Sequence, residues 1–143
     1  MITFTIETNP AAQDTRFLAD QINAYNIAIT GINDWQALAI FVRDETGQII
    51  AGIHGGSWAG YLEIHNLWVH EQLRGQGYGS RLLALAETEA RQRDCTQVLL
   101  DTHDFQAIDF YKKCGYHVFG SFDGIGGRYT RFYLRKQLSN DQR

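Results

Sequence analysis

A chain of 143 residues, 44% hydrophobic and 20% charged, is long enough to bury one core and has the make-up of a globular domain. A net charge of −3 without a dense Lys/Arg run argues against a nucleic-acid binder, and two cysteines are too few for a disulfide framework. No apolar stretch is long enough for a bilayer span and no leader-like start is seen, so the expectation is one domain over 1–143, cytoplasmic, with reduced thiols and no membrane partner.

Residues 2–8, ITFTIET, alternate and are rich in β-formers, which predicts a first strand. Asn9 and Pro10 then read as the cap and first turn of a helix running through Phe17, Leu18 and Ile22 towards Tyr25, with Gly31 closing the region. ALAIFV (37–42) and IIAGIHGGSW (49–58) are predicted strands joined as a hairpin, and Ala59-Gly60 turns the chain into YLEIHNLWV (61–69), the fourth strand. A helix over about 79–93 follows, with Leu82, Leu83, Ala86 and Ala90 on one face. QVLLDT (97–102) reads as a strand buried on both faces, and FQAIDFYKKCG (105–115) as a helix stopped by Gly115. YHVFGSF (116–122) and RYTRFYLRKQL (128–138) complete the order as two strands. The order β-α-β-β-β-α-β-α-β-β predicts a mixed α/β domain of three layers, mostly antiparallel, with a right-handed parallel crossover between the fourth and fifth strands.

The segment Arg74-Gly75-Gln76-Gly77-Tyr78-Gly79-Ser80 lies between a strand and a helix start. The first N–H groups of a helix lack internal partners and glycines let the backbone come close, so such a loop suits a phosphate; a tight turn alone is the plain alternative. A P-loop needs Gly-Lys, which the chain lacks, and the dinucleotide pattern GxGxxG fails because Ser80 stands at its last glycine.

The loop resembles the acetyl-CoA signature Gln/Arg-x-x-Gly-x-Gly/Ala of the GCN5-related N-acetyltransferase (GNAT) superfamily, and AIDFYKKCGY (107–116) is similar to its second hallmark, Ala-x-x-x-Tyr-x-Lys-x-Gly-Phe/Tyr. The resemblance implies an enzyme moving acetyl from acetyl-CoA to a primary amine of a small molecule or peptide by direct attack on the thioester. It implies that the pyrophosphate lies on the loop, at Arg74, Gly75, Gln76, Gly77, Tyr78, Gly79 and Ser80. Pantetheine would then run between the splayed fourth and fifth strands, past Leu67, Trp68, Val69 and Ala107, with a backbone N–H near Val69 at the acetyl carbonyl. Tyr111 is the implied acid at the sulfur; periodicity alone would make it a core aromatic. A non-catalytic acyl-CoA-binding domain of the same fold is the second reading, and a homodimer is allowed.

Glu63 is the candidate base, being a carboxylate in mid-strand where Glu is disfavoured, with a solvated or paired Glu as the alternative. His65 or a water chain could take that role instead. Glu63, His65, Leu67 and Val69 are expected on one strand face, with Leu62, Ile64 and Trp68 on the other. Tyr25, His65 and Phe105 are candidate acceptor-binding residues, with core packing the alternative for the aromatics. Asp104 stands where the family often has a pantetheine-contacting Asn, and capping the following helix is its alternative role. His54, His65, His70, His103 and His117 show no metal-ligand spacing, so no metal is expected.

Overall fold

A computed structural model describes residues 1–138. The chain divides into two compact units, Met1–Asn33 and Asp34–Arg143. The first unit holds α1 (Ala12–Thr30), closed as expected by Gly31, whose left-handed backbone (φ 72°) sends its N–H to the Ile27 carbonyl. Two expectations fail in this unit. Residues 2–8 form no strand: none of them is paired in the sheet, and alternation without a ladder does not make one. The helix also starts past Pro10, at Ala12, with Ala11 at the cap position and no side-chain cap, so Asn9 does not cap it.

The second unit opens with β1 (Gln36–Arg43) and β2 (Ile49–Trp58). Asp44 folds their turn: its Oδ1 accepts from the N–H groups of Thr46 (2.8 Å) and Gln48 (3.1 Å). Ala59 and Gly60, both at positive φ, turn the chain into β3 (Tyr61–Val69). A short 3-10 turn (Glu71–Leu73) leads to α2 (Tyr78–Gln92), then β4 (Gln97–His103), α3 (Ile108–Lys113), β5 (His117–Ile125) and β6 (Tyr129–Gln137). The six strands form one mixed sheet in the order β1-β2-β3-β4-β6-β5. Among the described residues only β3 and β4, the predicted fourth and fifth strands, pair in parallel, connected through α2. Their ladder covers Tyr61↔Gln97, Leu62↔Val98 and Glu63↔Leu99 and goes no further.

The core lies between α2 and one face of the sheet. Leu82, Leu83, Ala86 and Ala90 of α2 are buried with Leu38, Ala51, Ile53, Leu62 and Ile64, and each buried leucine contributes about 1.5–3 kcal/mol. β4 is buried on one face rather than two: Val98, Leu100 and Thr102 go inward, while Asp101 on the other face is exposed. Glu87 also points inward from α2, a position the helical pattern did not mark. Its charge is met by Lys136 Nζ at 2.8 Å, and the Tyr116 hydroxyl donates to its other oxygen at 2.8 Å. These bonds tie α2 to the end of α3 and to β6, and burial pushes the Tyr116 phenol far up. The last predicted helix is shorter than expected, because residues 105–107 turn without joining it.

The alternation on β3 also differs from expectation. Gly55 of β2 pairs with Ile64 and His54 with Asn66, so His65 is an extra residue in β3. A bulge of one residue reverses which face the following side chains take. Leu67 and Val69 therefore pack against the core alongside Leu62 and Ile64, whereas Glu63 and His65 face the other way. Gly55 permits this. A Cβ there would collide with the Glu63 carbonyl oxygen and lie 3.0 Å from Ile64 Cα, both backbone atoms. Gly55→Ala is expected to lower stability by about 2–3 kcal/mol, read from the denaturant midpoint. An unchanged midpoint would show that β3 can shift away without loss.

Among the described residues no helix is long and apolar enough to cross a membrane.

Candidate active site

A cavity of about 780 Å3 lies where β3 ends and α2 begins, walled on its other side by the turn into α3. The glycine loop forms one rim. Gly75 (φ 76°) and Gly77 (φ 87°) take left-handed backbone, and nothing lies within 4 Å of a Cβ built on either, so their backbone faces open space. Gly77 is the N-cap residue of α2. The N–H groups of Tyr78, Gly79 and Ser80 in the first helical turn have no carbonyl four residues back to receive them, and the helix dipole adds partial positive charge. Gly79 is constrained differently: its Cβ position lies 3.3 Å from the Phe110 ring of α3. The loop is braced from within. Arg74 Nε donates to the Val69 carbonyl at 3.1 Å, and Gln76 Nε2 donates to the Gln72 carbonyl at 3.1 Å.

The second rim is the end of β3. The His70 N–H donates to the Ile50 carbonyl of β2 at 2.9 Å. Backbone N–H groups alternate sides along a strand, so those of Leu67 and Val69 are directed away from β2, to the side where β4 has ceased to pair. Leu67, Trp68 and Val69 all line the cavity.

The third rim carries Phe105, Ala107 and Tyr111. Tyr111 is 8% exposed, with its ring edge-on to Phe110 and Tyr116 at 5.1 and 6.0 Å. Burial pushes its phenol up to about 12, and the neighbouring Cys114 and Asp101 add to the effect. The hydroxyl thus stays protonated throughout the neutral range. Asp104 does not cap α3. Its Oδ2 accepts from the Thr130 N–H at 3.1 Å, and its own N–H bonds back to the Thr130 carbonyl, which extends the β4–β6 contact.

The cavity thus gathers every anticipated loop residue except Gln76, whose side chain is turned back along the chain. Leu73, Gln106 and Phe110 also line it and were not foreseen. Gln106 carries a readable signal only in hindsight: its Oε1 accepts from the His103 N–H at 2.8 Å and so shapes the turn before Ala107.

Glu63 and His65 lie outside this cavity. Their side chains are about half exposed, with His65 Nε2 3.7 Å from Glu63 Oε1. Glu63 instead lines a second cavity of about 370 Å3 on the sheet face away from α2. Tyr25 is an exposed residue of α1 in the first unit. Cys95 is buried and Cys114 half-buried; both are free thiols that burial pushes up, and neither lines the large cavity. Among the described residues no group of His, Cys, Asp and Glu is placed to hold a metal.

Comparison with known proteins assigns the arrangement. Residues 7–116 match the acetyltransferase (GNAT) family. The chain is 31% identical over 135 residues to Acetyltransferase Atu2258 of Agrobacterium fabrum, covering 94% of this chain and 98% of that protein. It is 35% identical over 104 residues to Blasticidin-S acetyltransferase of Streptomyces morookaense, covering 72% and 76%. A crystal structure from Agrobacterium tumefaciens superposes with a TM-score of 0.91 at 31% identity, covering 96% of this chain and all of that one. With its α/β fold and mixed six-stranded sheet, the chain belongs to the GNAT family and is an acetyl-CoA-dependent acetyltransferase.

Proposed function

We propose that the protein transfers acetyl from acetyl-CoA to a primary amine of a small molecule, by direct attack of the amine on the thioester, with the whole chain acting as one acetyltransferase domain. The observation that carries this reading is the large cavity, which brings together the α2 N-terminus, two outward N–H groups of β3 and the Tyr111 phenol. The match to the family begins in the first unit and runs through most of the second, which supports treating the chain as one domain. Blasticidin-S acetyltransferase, by its name, acts on a small molecule, and that supports the acceptor class.

In this reading the loop from Arg74 to Ser80 receives the pyrophosphate on its backbone N–H groups. Arg74 holds the loop to β3 through the Val69 carbonyl. Pantetheine follows the splay that opens once the ladder stops at Glu63↔Leu99, with Ala107 leaving it room. The N–H groups of Leu67 and Val69 bond the acetyl carbonyl and the pantetheine beside it. A preorganised donor to the developing oxyanion is worth about 3 kcal/mol. Tyr111 donates to the departing sulfur. Direct transfer is favoured over an acyl-cysteine route because both thiols are raised by burial and neither lines the cavity.

Glu63 is the base. Leu67 lies four positions further along the strand, roughly 13 Å away. It therefore takes the amine's proton through water rather than by contact. Glu63→Gln keeps the shape and removes the charge. An alkyl amine near a pKa of about 10.4 is mostly protonated at neutral pH, so the variant should lose about tenfold or more in kcat/KM there. The loss should shrink as pH approaches the amine's own pKa, where the acceptor arrives deprotonated. A kcat/KM profile running parallel to wild type over that range would remove Glu63 from the mechanism and leave His65 or a backbone-held water as base.

A further inference from the structure

The second cavity differs in chemistry from the first, and the difference describes an acceptor. It lies on the sheet face away from α2, and its lining includes Glu63, Leu99 and Asp101 together with Tyr61, Phe119 and Tyr133. Its two carboxylates are not equivalent. Asp101 is engaged by Arg131 at both oxygens, with Nε at 3.2 Å and Nη2 at 3.1 Å. Among the described residues Glu63 has only the His65 ring, at 3.7 Å, an ion pair that exists only when the imidazole is protonated. Glu63 is thus the charge left for a ligand. The aromatic wall is itself flanked by cations: Arg131 lies 5.2 Å over Tyr133 and Arg135 lies 5.9 Å over Phe119. Arg131 is already paired with Asp101, so a ligand with a positive group at that end would meet the Arg135 guanidinium. One with a positive group at the Glu63 end would meet a carboxylate.

We infer that this cavity is the acceptor site and takes a compact monoamine whose ammonium end is drawn to Glu63 and whose apolar or aromatic body lies against Phe119 and Tyr133. The inference rests on the reading of Glu63 as the base. A cavity of about 370 Å3 is near the lower end for ligand sites, which suits a body of one ring. A polyamine would place its second charge beside Arg135, and a peptide would exceed the space. The placement also serves the reaction. Glu63↔Leu99 is the last paired row of β3 and β4, so an amine linked to Glu63 through water lies in the gap beyond that row, on the way to the Leu67 N–H.

The test is CoA-thiol release from the full-length protein with phenylethylamine, spermidine or a lysine-containing peptide as acceptor. Phe119→Ala and Tyr133→Ala are tested beside wild type, with acetyl-CoA affinity measured separately. Both rings lie outside the buried core, and circular dichroism checks the variants' fold. Phenylethylamine should have the highest kcat/KM. Its KM should rise about tenfold in at least one variant, as expected for losing one aromatic wall, with acetyl-CoA affinity unchanged. Preference for spermidine or the peptide, or a phenylethylamine KM that neither variant moves, would overturn the inference while leaving amine acetylation intact. Acetyl-CoA binding without thiol release to any of the three would overturn the functional reading and the acceptor site with it.

Discussion

Gly77→Val is expected to weaken acetyl-CoA binding by roughly 100-fold or more while the protein stays folded. Gly77 sits at φ 87° with open space over its Cβ position, at the point where the backbone of the loop meets the first turn of α2. Valine is doubly unsuitable there. Left-handed backbone costs an L-residue about 1–2 kcal/mol, and its branched side chain would occupy the space through which a pyrophosphate reaches the N–H groups. Losing two charge-assisted hydrogen bonds at about 1.5–3 kcal/mol each weakens binding by roughly 100-fold or more. Gly47→Val separates the two effects. Gly47 has nearly the same backbone (φ 85°) and equal open space, but lies in the turn between β1 and β2, outside the cavity. By calorimetry Gly47→Val should bind acetyl-CoA as wild type does. Equal affinity in both variants would move the pyrophosphate away from this loop.

Tyr111→Phe should lower kcat by about 100-fold, with acetyl-CoA affinity nearly unchanged. Burial holds the phenol at about 12, so complete proton transfer to a thiolate of ordinary pKa near 8.5 is uphill by roughly 5 kcal/mol. The cheaper way to meet the charge developing on sulfur is a charge-assisted hydrogen bond from the intact phenol. That bond strengthens late in the reaction, which is why its loss falls on turnover rather than on binding. The raised value also fixes a sign. The hydroxyl keeps its proton well beyond neutrality, so Tyr111 contributes no alkaline fall in rate below about pH 11. A kcat change of less than about threefold, with chemistry shown to limit the rate, would leave Tyr111 a packing residue.

The features readable from sequence were those encoded locally. The bounds of β1, β2 and β3 follow from turns whose residues sit side by side, Asp44 to Gly47 and Ala59-Gly60. The loop from Arg74 to Ser80 is legible for the same reason, since positive φ at Gly75 and Gly77 has a one-residue signature. What misled was set by partners distant in sequence. The alternation in residues 2–8 has no ladder to complete it. The bulge at His65 is decided by β2, because Gly55 alone lets the Glu63 carbonyl come so close. Glu87 is a charged residue on the buried face of an amphipathic helix, and the groups that satisfy it lie 29 and 49 residues away. Asp104 looked like a cap because it precedes a helix, yet its carboxylate is held by the Thr130 N–H across the sheet.

Transfer itself is tested most directly by following CoA thiol and product mass together in wild-type protein given acetyl-CoA and a mixture of primary amines. Direct attack predicts thiol release that depends on amine, one N-acetylated amine for each thiol, and no acetyl group on the protein at any time. Thiol release independent of amine, or acetyl carried on the chain before it reaches the acceptor, would contradict direct attack within this cavity.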